Sequence, residues 1–298
     1  MAKLKSYFQA VRAFSFTAVV ISVALGALLA YQDKNTFSLP MFLLVLINTL
    51  LLHAGTNVLS DYFDYKKGID TDYSFGSSKV ISEKLLTPKE VLVEAVVIFS
   101  IAAILGLVLI YLRGFPILII GGAGLLAGVF YSFGPSYKYF ALGDFAVFLM
   151  FGPLTVLGTY YVLAESFSVK PVLLAIPPGL LVTLILVGNN IRDIKHDVNA
   201  GVKTVANLLG YDKAKWEYYL LIAAAFASAA IMAFTTLLSL WSLLIFVTLP
   251  LALKNIRILS QSNPDNPASI ADLDVKSAQL HLIFGIMLII SIAIGMVI

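Results

Sequence analysis

The sequence predicts an all-α membrane protein, a bundle of nine transmembrane helices. The 298 residues are 60% hydrophobic and only 12% charged, with a mean hydropathy of +0.94. A soluble protein of this length does not have such a composition. Cysteine is absent, which excludes disulfides and thiolate metal sites. Nothing indicates a separate soluble domain, so residues 1–298 are predicted to form one transmembrane domain.

The predicted helices follow from apolar runs long enough to cross a bilayer, which takes about 17–25 helical residues. The N-terminal segment leads directly into the first run without a cleavable signal pattern, so that helix is predicted to be retained. Closely spaced glycines thin the fourth run, and such spacing is typical of close helix packing. Residues 258–277 are predicted to be a polar loop. The nine runs cover residues 11–32, 39–60, 90–112, 115–133, 142–164, 170–191, 215–237, 239–256 and 278–298.

The basic residues predict the orientation of these helices. With nine spans, the N-terminus and the alternate loops carry seventeen of the 20 Lys and Arg residues, and the opposite side carries Lys34, Arg113 and Lys170. Such an excess marks the cytoplasmic side. The two long loops, 61–89 and 192–214, lie on that side as well. We therefore expect an integral protein of the cell membrane whose active site faces the cytoplasm.

Two Asp-rich motifs end the second and sixth runs. Carboxylates this close to a bilayer are costly, so a functional role is expected. On a helix, the first motif has its polar residues at i, i+4 and i+7, and the second at i, i+3 and i+7, so each motif presents oxygen atoms on one face. The motifs consist of Asn57, Asp61 and Asp64, and of Asn190, Asp193 and Asp197.

Two such faces opposed across a cavity could hold Mg²⁺, which commonly binds one or two carboxylates together with phosphate oxygens. Nearby cations, Lys138, Arg192 and Lys203, could bind further phosphate oxygens. Such a site would stabilise a departing diphosphate. An allylic lipid that loses diphosphate becomes a carbocation, which needs a dry, aromatic-lined chamber. Aromatic residues such as Tyr131 adjoin the polar motifs.

Three segments together resemble the intramembrane UbiA prenyltransferases. The resemblance covers most of the chain and is closest to the branch that prenylates 1,4-dihydroxy-2-naphthoate in menaquinone synthesis. The broader family has its last first-motif Asp where this chain has Tyr65, and the use of Asp64 instead favours the naphthoate branch over 4-hydroxybenzoate enzymes. The segments are Asn57-x-x-x-Asp61-Tyr-x-Asp64-x-x-x-Gly68-x-Asp70, Tyr131-Ser-Phe-Gly-Pro-Ser-Tyr-Lys138-Tyr-x-Ala-Leu-Gly143-Asp144, and Asn189-Asn190-x-Arg192-Asp193-x-x-x-Asp197-x-x-x-Gly201-x-Lys203-Thr204.

The resemblance implies nine helices around a central cavity that is open to the membrane, and two Mg²⁺ ions. Its metal ligands would be Asn57, Asp61 and Asp64 for one ion, and Asp193 and Asp197 for the other. Lys138, Arg192 and Lys203 would contact diphosphate, and Tyr131 would lie beside the allylic carbon. The expected catalytic group comprises Tyr131, Lys138, Asp64 and Asp197.

Several further residues are assigned from their positions. His53 lies one turn before Asn57 and, like Asn189 and Asn190, is predicted to contact substrate; Asn190 is favoured for the metal side. His196 falls off the Asp face of its helix. For Asp144, a helix N-cap role and a catalytic role stay open. Arg12 is not followed by the proline that often accompanies it in the family, because residue 13 is Ala, and this argues against a role for Arg12.

The predicted activity is Mg²⁺-assisted transfer of a polyprenyl group from its allylic diphosphate to an aromatic acceptor, 1,4-dihydroxy-2-naphthoate. Geranylgeranylglyceryl phosphate or haem are alternative acceptors. A cation-coupled secondary transporter is the alternative of another class, but the Asp clusters lie at helix ends rather than at the bilayer midplane. The expected partners are the polyprenyl diphosphate, the small acceptor and the lipid bilayer; neither nucleic acid nor an obligate protein partner is predicted.

Overall fold

A computed structural model describes residues 2–70 and 78–297, and this part of the chain is predominantly helical. Within it, the only strand-like pairing is an isolated bridge between Phe140 and Lys203. The α-helices are α1 (Ala2–Ala10), α2 (Thr17–Lys34), α3 (Leu39–Lys66), α4 (Pro88–Arg113), α5 (Phe115–Phe130), α6 (Gly143–Leu149), α7 (Thr155–Ala164), α8 (Val169–Leu174), α9 (Ile176–Asn199), α10 (Val205–Leu209), α11 (Tyr211–Phe234), α12 (Leu249–Ser260) and α13 (Leu273–Val297).

Eight helical segments of the described chain are long and apolar enough to cross a membrane. The fourth predicted run corresponds to α5, which is apolar but has only 16 residues. These nine segments match the predicted runs in order, so the prediction of an all-α bundle of nine helices is confirmed. Because α3 continues to Lys66 and α9 to Asn199, both Asp motifs lie within helices, and the loops predicted at 61–89 and 192–214 are shorter than expected.

Three local predictions differ in part from the structure. The first span does not begin at residue 11, because Arg12 has a left-handed backbone (φ 53°) that separates α1 from the helical segment beginning at Ala13. The predicted polar loop 258–277 is largely taken up by the end of α12, a short 3₁₀ turn and the start of α13. In α5, a Cβ atom placed on Gly121, Gly122 or Gly124 would meet nothing within 4 Å, whereas one on Gly128 would lie 2.6 Å from Thr56 Oγ1. Close packing against another helix therefore holds for Gly128 and not for the other three glycines.

The main core surrounds α9. Its residues Leu181, Leu184 and Ile191 are fully buried and belong to a cluster that also contains Tyr218 of α11 and Phe284 of α13. Burial of such large apolar side chains is the principal stabilising contribution inside a helical bundle that lipid surrounds, through close van der Waals packing. The core therefore fixes the position of α9 and of the Asp motif at its C-terminal end.

The helix is interrupted between α6 and α7, where the chain packs closely against α9. Residues Met150–Leu154 form a π-helical turn, because Pro153 lacks a backbone N–H and cannot continue an α-helix. At this turn a Cβ atom on Gly152 would lie 3.2 Å from the Cα atom of Gly179, so glycine allows close approach to α9. The carbonyl of Phe151 accepts a hydrogen bond from Ser22, which satisfies a backbone group that the break exposes.

Candidate active site

A cavity of about 300 Å³ lies among α3, α5, α6, α9 and the segment 131–141. The C-terminal ends of α3 and α9 bring most of the predicted site residues to its wall. Those that line it are His53, Asn57, Asp64, Tyr131, Lys138, Asn189, Asn190, Asp193 and Asp197. Asp61, Arg192 and Lys203 were predicted for the same site, but their side chains do not line this cavity.

Asp64 lies at the centre of a polar cluster on one side of the cavity. Its carboxylate accepts hydrogen bonds from Lys138 Nζ at 2.7 Å, Ser60 Oγ at 3.1 Å and the Tyr139 hydroxyl at 2.7 Å. The Lys138 and Asp64 side chains are 11% and 16% exposed, so the ion pair is largely shielded from water. Burial and the nearby Asp64 raise the pKa of Tyr139 above its ordinary value, which keeps the phenol protonated and able to donate.

Sequence reasoning assigned no role to Tyr139, although it adjoins Lys138. Because two neighbouring residues on a regular helix do not face the same way, the pair would not have been expected to reach one carboxylate. In the structure both lie in a short 3₁₀ turn, Tyr137–Tyr139. This tighter turn brings the Lys138 ammonium and the Tyr139 hydroxyl to opposite oxygens of Asp64.

Asp61 is bound entirely by protein groups. One carboxylate oxygen accepts a hydrogen bond from Arg12 and the other from Ser78, and the Asp61 side chain is 1% exposed. The left-handed backbone at Arg12 lets its guanidinium reach α3 and the cavity wall. Burial disfavours the charged guanidinium, but the carboxylates of Asp61 and Asp64 outweigh this and raise the pKa of Arg12. Arg12, for which the sequence suggested no role, is thus part of the site.

Asn57 lines the cavity and contacts the segment that follows α1. Its amide nitrogen donates to the carbonyl of Val11 at 3.0 Å and to Ser15 Oγ at 3.3 Å. His53, one turn earlier, has its Nε2 atom 2.7 Å from the same Ser15 hydroxyl. The His53 ring also packs edge-on against Phe151, with the ring centroids 4.7 Å apart. These contacts hold both predicted residues at the cavity wall.

On α9, the predicted phosphate contact Arg192 instead holds the second Asp motif. It donates to both carboxylate oxygens of Asp193, at 3.1 Å and 2.9 Å, to Asn189 Oδ1 at 2.5 Å and to the carbonyl of Ala271 at 2.9 Å. Asp193 lines the cavity, and Asp197 lies one turn further along the same face. No hydrogen bond to the Asp197 side chain exists among the residues that the structure describes, so its oxygens are available to a ligand.

Lys203 is exposed, and its contribution is through the backbone. Its N–H donates to the carbonyl of Tyr139 at 3.1 Å, and its carbonyl accepts from Ala141 at 2.7 Å. These bonds join the segment after α9 to the segment that carries Lys138. Lys203 therefore fixes the relative position of two walls, and its ammonium lies outside the cavity.

The aromatic and remaining polar residues complete the wall. Tyr131 packs edge-on against Tyr137, with 5.5 Å between ring centroids, and Lys138 Nζ lies 5.4 Å from the Tyr131 ring centroid. His196 was expected off the Asp face, but it lines the cavity and contacts the carbonyl of Ile69. Asp144 also lines the cavity. It does not cap α6, whose N-cap position is Leu142, and it accepts a hydrogen bond from Asn190 Nδ2 at 3.1 Å.

The sequence is similar to known proteins of one family. The profile of the UbiA prenyltransferase family matches residues 19–283. The chain belongs to the UbiA prenyltransferase family. UbiA prenyltransferase domain-containing protein 1 of Danio rerio is 31% identical over 287 residues, which cover 95% of this chain and 82% of the relative. The 1,4-dihydroxy-2-naphthoate octaprenyltransferase of Bacillus subtilis is 30% identical over 293 residues, or 97% of this chain and 92% of that enzyme.

Solved UbiA structures share the fold. The apo structure of a UbiA homologue from Aeropyrum pernix superimposes with a TM-score of 0.70 at 16% identity and covers 96% of this chain and 98% of the homologue. A UbiA homologue from Archaeoglobus fulgidus bound to DMAPP and Mg²⁺ gives a TM-score of 0.58 at 14% identity, with 93% and 99% covered. The family and the helical fold predicted from the sequence are confirmed, and this UbiA protein is an integral membrane prenyltransferase.

The oxygen atoms of this UbiA site suit a hard cation. Among residues 2–70 and 78–297, no three carboxylate or imidazole groups converge closely enough to form a metal site by themselves. Mg²⁺ does not require three, since it commonly takes one or two carboxylates and completes its coordination with phosphate and water. Asp193 and Asp197 supply one such pair, and Asp64 with Asn57 supplies a carboxylate and an amide. The residues present therefore fit Mg²⁺ bound together with a diphosphate.

Proposed function

We propose that this chain transfers a polyprenyl group from its allylic diphosphate to 1,4-dihydroxy-2-naphthoate, with two Mg²⁺ ions as cofactors. The observation that carries the proposal is the shared cavity, whose wall presents Asp64 from α3, Asp193 and Asp197 from α9, and Lys138 between them. The naphthoate acceptor is supported by the name of the B. subtilis relative. The donor and the metal are supported by the A. fulgidus homologue bound to DMAPP and Mg²⁺.

We assign the diphosphate to the polar end of the cavity. Asn57 and Asp64 would hold one Mg²⁺, and Asp193 and Asp197 the other; when bound, the metal supplies positive charge that stabilises the leaving diphosphate. Lys138 Nζ donates hydrogen bonds to Asp64 and Ser60. Because an ammonium group has three N–H donors, the third can donate to a phosphate oxygen.

Three residues take roles other than those expected. The Asp61 side chain is 1% exposed and, unlike that of Asp64, does not line the cavity, so we assign it the role of holding Arg12 at the cavity wall. Arg12 donates to Asp61 through Nη2, and its other guanidinium nitrogens carry further donors. We assign it as a second cation for diphosphate. Arg192 acts through Asp193, which it orients with two hydrogen bonds.

The apolar end of the cavity suits the prenyl chain and its cation. Tyr131 presents an aromatic ring beside Lys138, and the paired rings of His53 and Phe151 also line the cavity. A ring face stabilises a nearby cation through its quadrupole, and apolar walls exclude the water that would quench a carbocation. The excess of basic residues on one side of the bundle supports a cytoplasmic position for this site in the cell membrane.

The test incubates purified protein in detergent with Mg²⁺, geranylgeranyl diphosphate and one acceptor at a time, and detects products by mass. We expect a prenylated product that has lost the carboxylate from 1,4-dihydroxy-2-naphthoate, and none from geranylgeranylglyceryl phosphate or haem. An ether formed only with the glyceryl phosphate would show that the acceptor assignment is wrong. Cation flux in proteoliposomes without any prenylated product would favour a transporter instead.

A further inference from the structure

Asp144 is a buried carboxylate that the proposed diphosphate site does not use. Asp144 is the second residue of α6, its residue exposure is 7%, and it lines the cavity. In the part of the chain that the structure describes, it accepts one hydrogen bond, from Asn190, and forms no ion pair. A buried carboxylate without a cation is costly, and α6 with its seven residues offers only a weak helix dipole in return.

The cavity wall around Asp144 is formed by one face of α6 and one face of α9, with a slot between them. Val147 lies one turn after Asp144 on α6, and Leu186 lies one turn before Asn190 on α9; all four line the cavity. Side chains at such spacings share a helix face, so each helix presents one apolar and one polar residue to the cavity. A Cβ atom on Gly143 would lie 3.3 Å from Leu186 Cδ2, so glycine at 143 lets the two helices approach here.

The polar end of this slot is centred on a carboxylate acceptor. Asp144 Oδ1 accepts from Asn190 Nδ2, and Asp144 Oδ2 accepts no hydrogen bond from the residues that the structure describes. A ligand group that donates a hydrogen bond would satisfy Asp144, whereas a carboxylate or phosphate next to it would meet an oxygen atom of the same polarity. The hydroxyl group of an aromatic ring satisfies both parts of the slot.

We infer that Asp144 and Asn190 form a subsite for a ring hydroxyl of the acceptor, an inference that rests on the proposed prenyl transfer. The hydroxyl donates to Asp144, which orients the ring against Val147 and Leu186. A hydrogen bond to a carboxylate also increases electron density on the ring, which favours attack on the allylic cation. A phosphorylated acceptor without a ring hydroxyl has no such donor for Asp144, so the subsite favours hydroxylated rings.

The test compares wild type with Asp144→Asn, using 1,4-dihydroxy-2-naphthoate and its two mono-O-methyl ethers as acceptors. A hydrogen bond to a charged group predicts a loss of about tenfold to a hundredfold in kcat/KM for the parent acceptor, with the KM for geranylgeranyl diphosphate changed less than twofold. With wild type, one of the two methyl ethers should have a kcat/KM lower than that of the parent acceptor by a similar factor. With Asp144→Asn, kcat/KM for that ether should be close to kcat/KM for the parent acceptor, because the Asp144 carboxylate that accepts from the hydroxyl is absent.

Asp33→Asn is the matched control, since Asp33 binds Tyr160 at the far end of α2 and should leave every acceptor unchanged. If Asp144→Asn does not yield folded protein, Asp144→Ser and the two ethers on wild type give the same comparison. Equal kcat/KM values for wild type and Asp144→Asn, or losses that add fully with methylation, would overturn the subsite alone. A wild-type enzyme that prenylates no hydroxylated ring overturns the subsite together with the proposed function.

Discussion

Replacing Arg12 by methionine tests the buried ion pair that joins the N-terminal segment to α3. The Asp61 side chain is 1% exposed and that of Arg12 17%. Methionine keeps much of the length of Arg12 but removes its charge, so Asp61 would retain only the hydroxyl of Ser78. Removing one partner of a buried pair costs about 3–5 kcal/mol, because the remaining charge is buried without compensation. We expect a correspondingly large fall in thermal stability.

The assay is thermal unfolding in detergent, with Lys195→Met as the control. Lys195 pairs with Asp265, and their side chains are 61% and 77% exposed, so this loss should be about 0–1 kcal/mol. The double variant Arg12→Met/Asp61→Asn should recover much of the stability, because a neutral amide needs no cation, while transfer stays low because Arg12 also lines the cavity. Arg12→Met protein as stable as Lys195→Met would refute the reasoning.

Three further predictions concern the site and the packing. Asp193→Ala and Asp64→Ala should each lower kcat/KM for prenyl transfer by about 10²–10³ through loss of electrostatic stabilisation, measured on protein that is still folded; near-normal transfer would exclude the assigned roles. EDTA should stop product formation and excess Mg²⁺ should restore it, whereas unchanged turnover in EDTA would exclude a metal cofactor. Gly26→Ala would place a Cβ atom 2.6 Å from the Val156 carbonyl oxygen and should destabilise by about 1–3 kcal/mol; Gly122→Ala, with nothing within 4 Å, is the control, and equal melting temperatures would contradict the packing of α2 on α7.

The sequence predicted the helices and the second Asp motif well, because both depend on local regularities. A long hydrophobic run predicts a transmembrane helix directly, since within lipid every backbone polar group must be hydrogen-bonded inside its own helix. The spacing between Asp193 and Asp197 is one helical turn, and both line the cavity. Arg192 is adjacent to Asp193, and adjacent helical residues do not point in the same direction. The same periodicity therefore argues against Arg192 facing the cavity together with Asp193.

The first motif was harder to predict because it depends on contacts across the fold. Asp61 and Asp64 look alike in the sequence, yet Asp61 pairs with Arg12 and Asp64 with Lys138. Arg12 reaches its partner through a left-handed backbone, which no helical pattern reports. Asp144 is similar: its partner Asn190 lies 46 residues away, and only the packing of α6 on α9 brings the two together.

The short helix α5 has a consequence for the surrounding lipid. Its 16 residues reach about 24 Å, less than the roughly 30 Å of a typical hydrocarbon core. Such hydrophobic mismatch is met by local thinning of the bilayer or by snorkelling of flanking side chains, at a fraction of a kcal/mol for each ångström. Local thinning would bring headgroups nearer to the glycines at 124 and 128, which line the cavity, so turnover should respond to acyl-chain length in the host membrane.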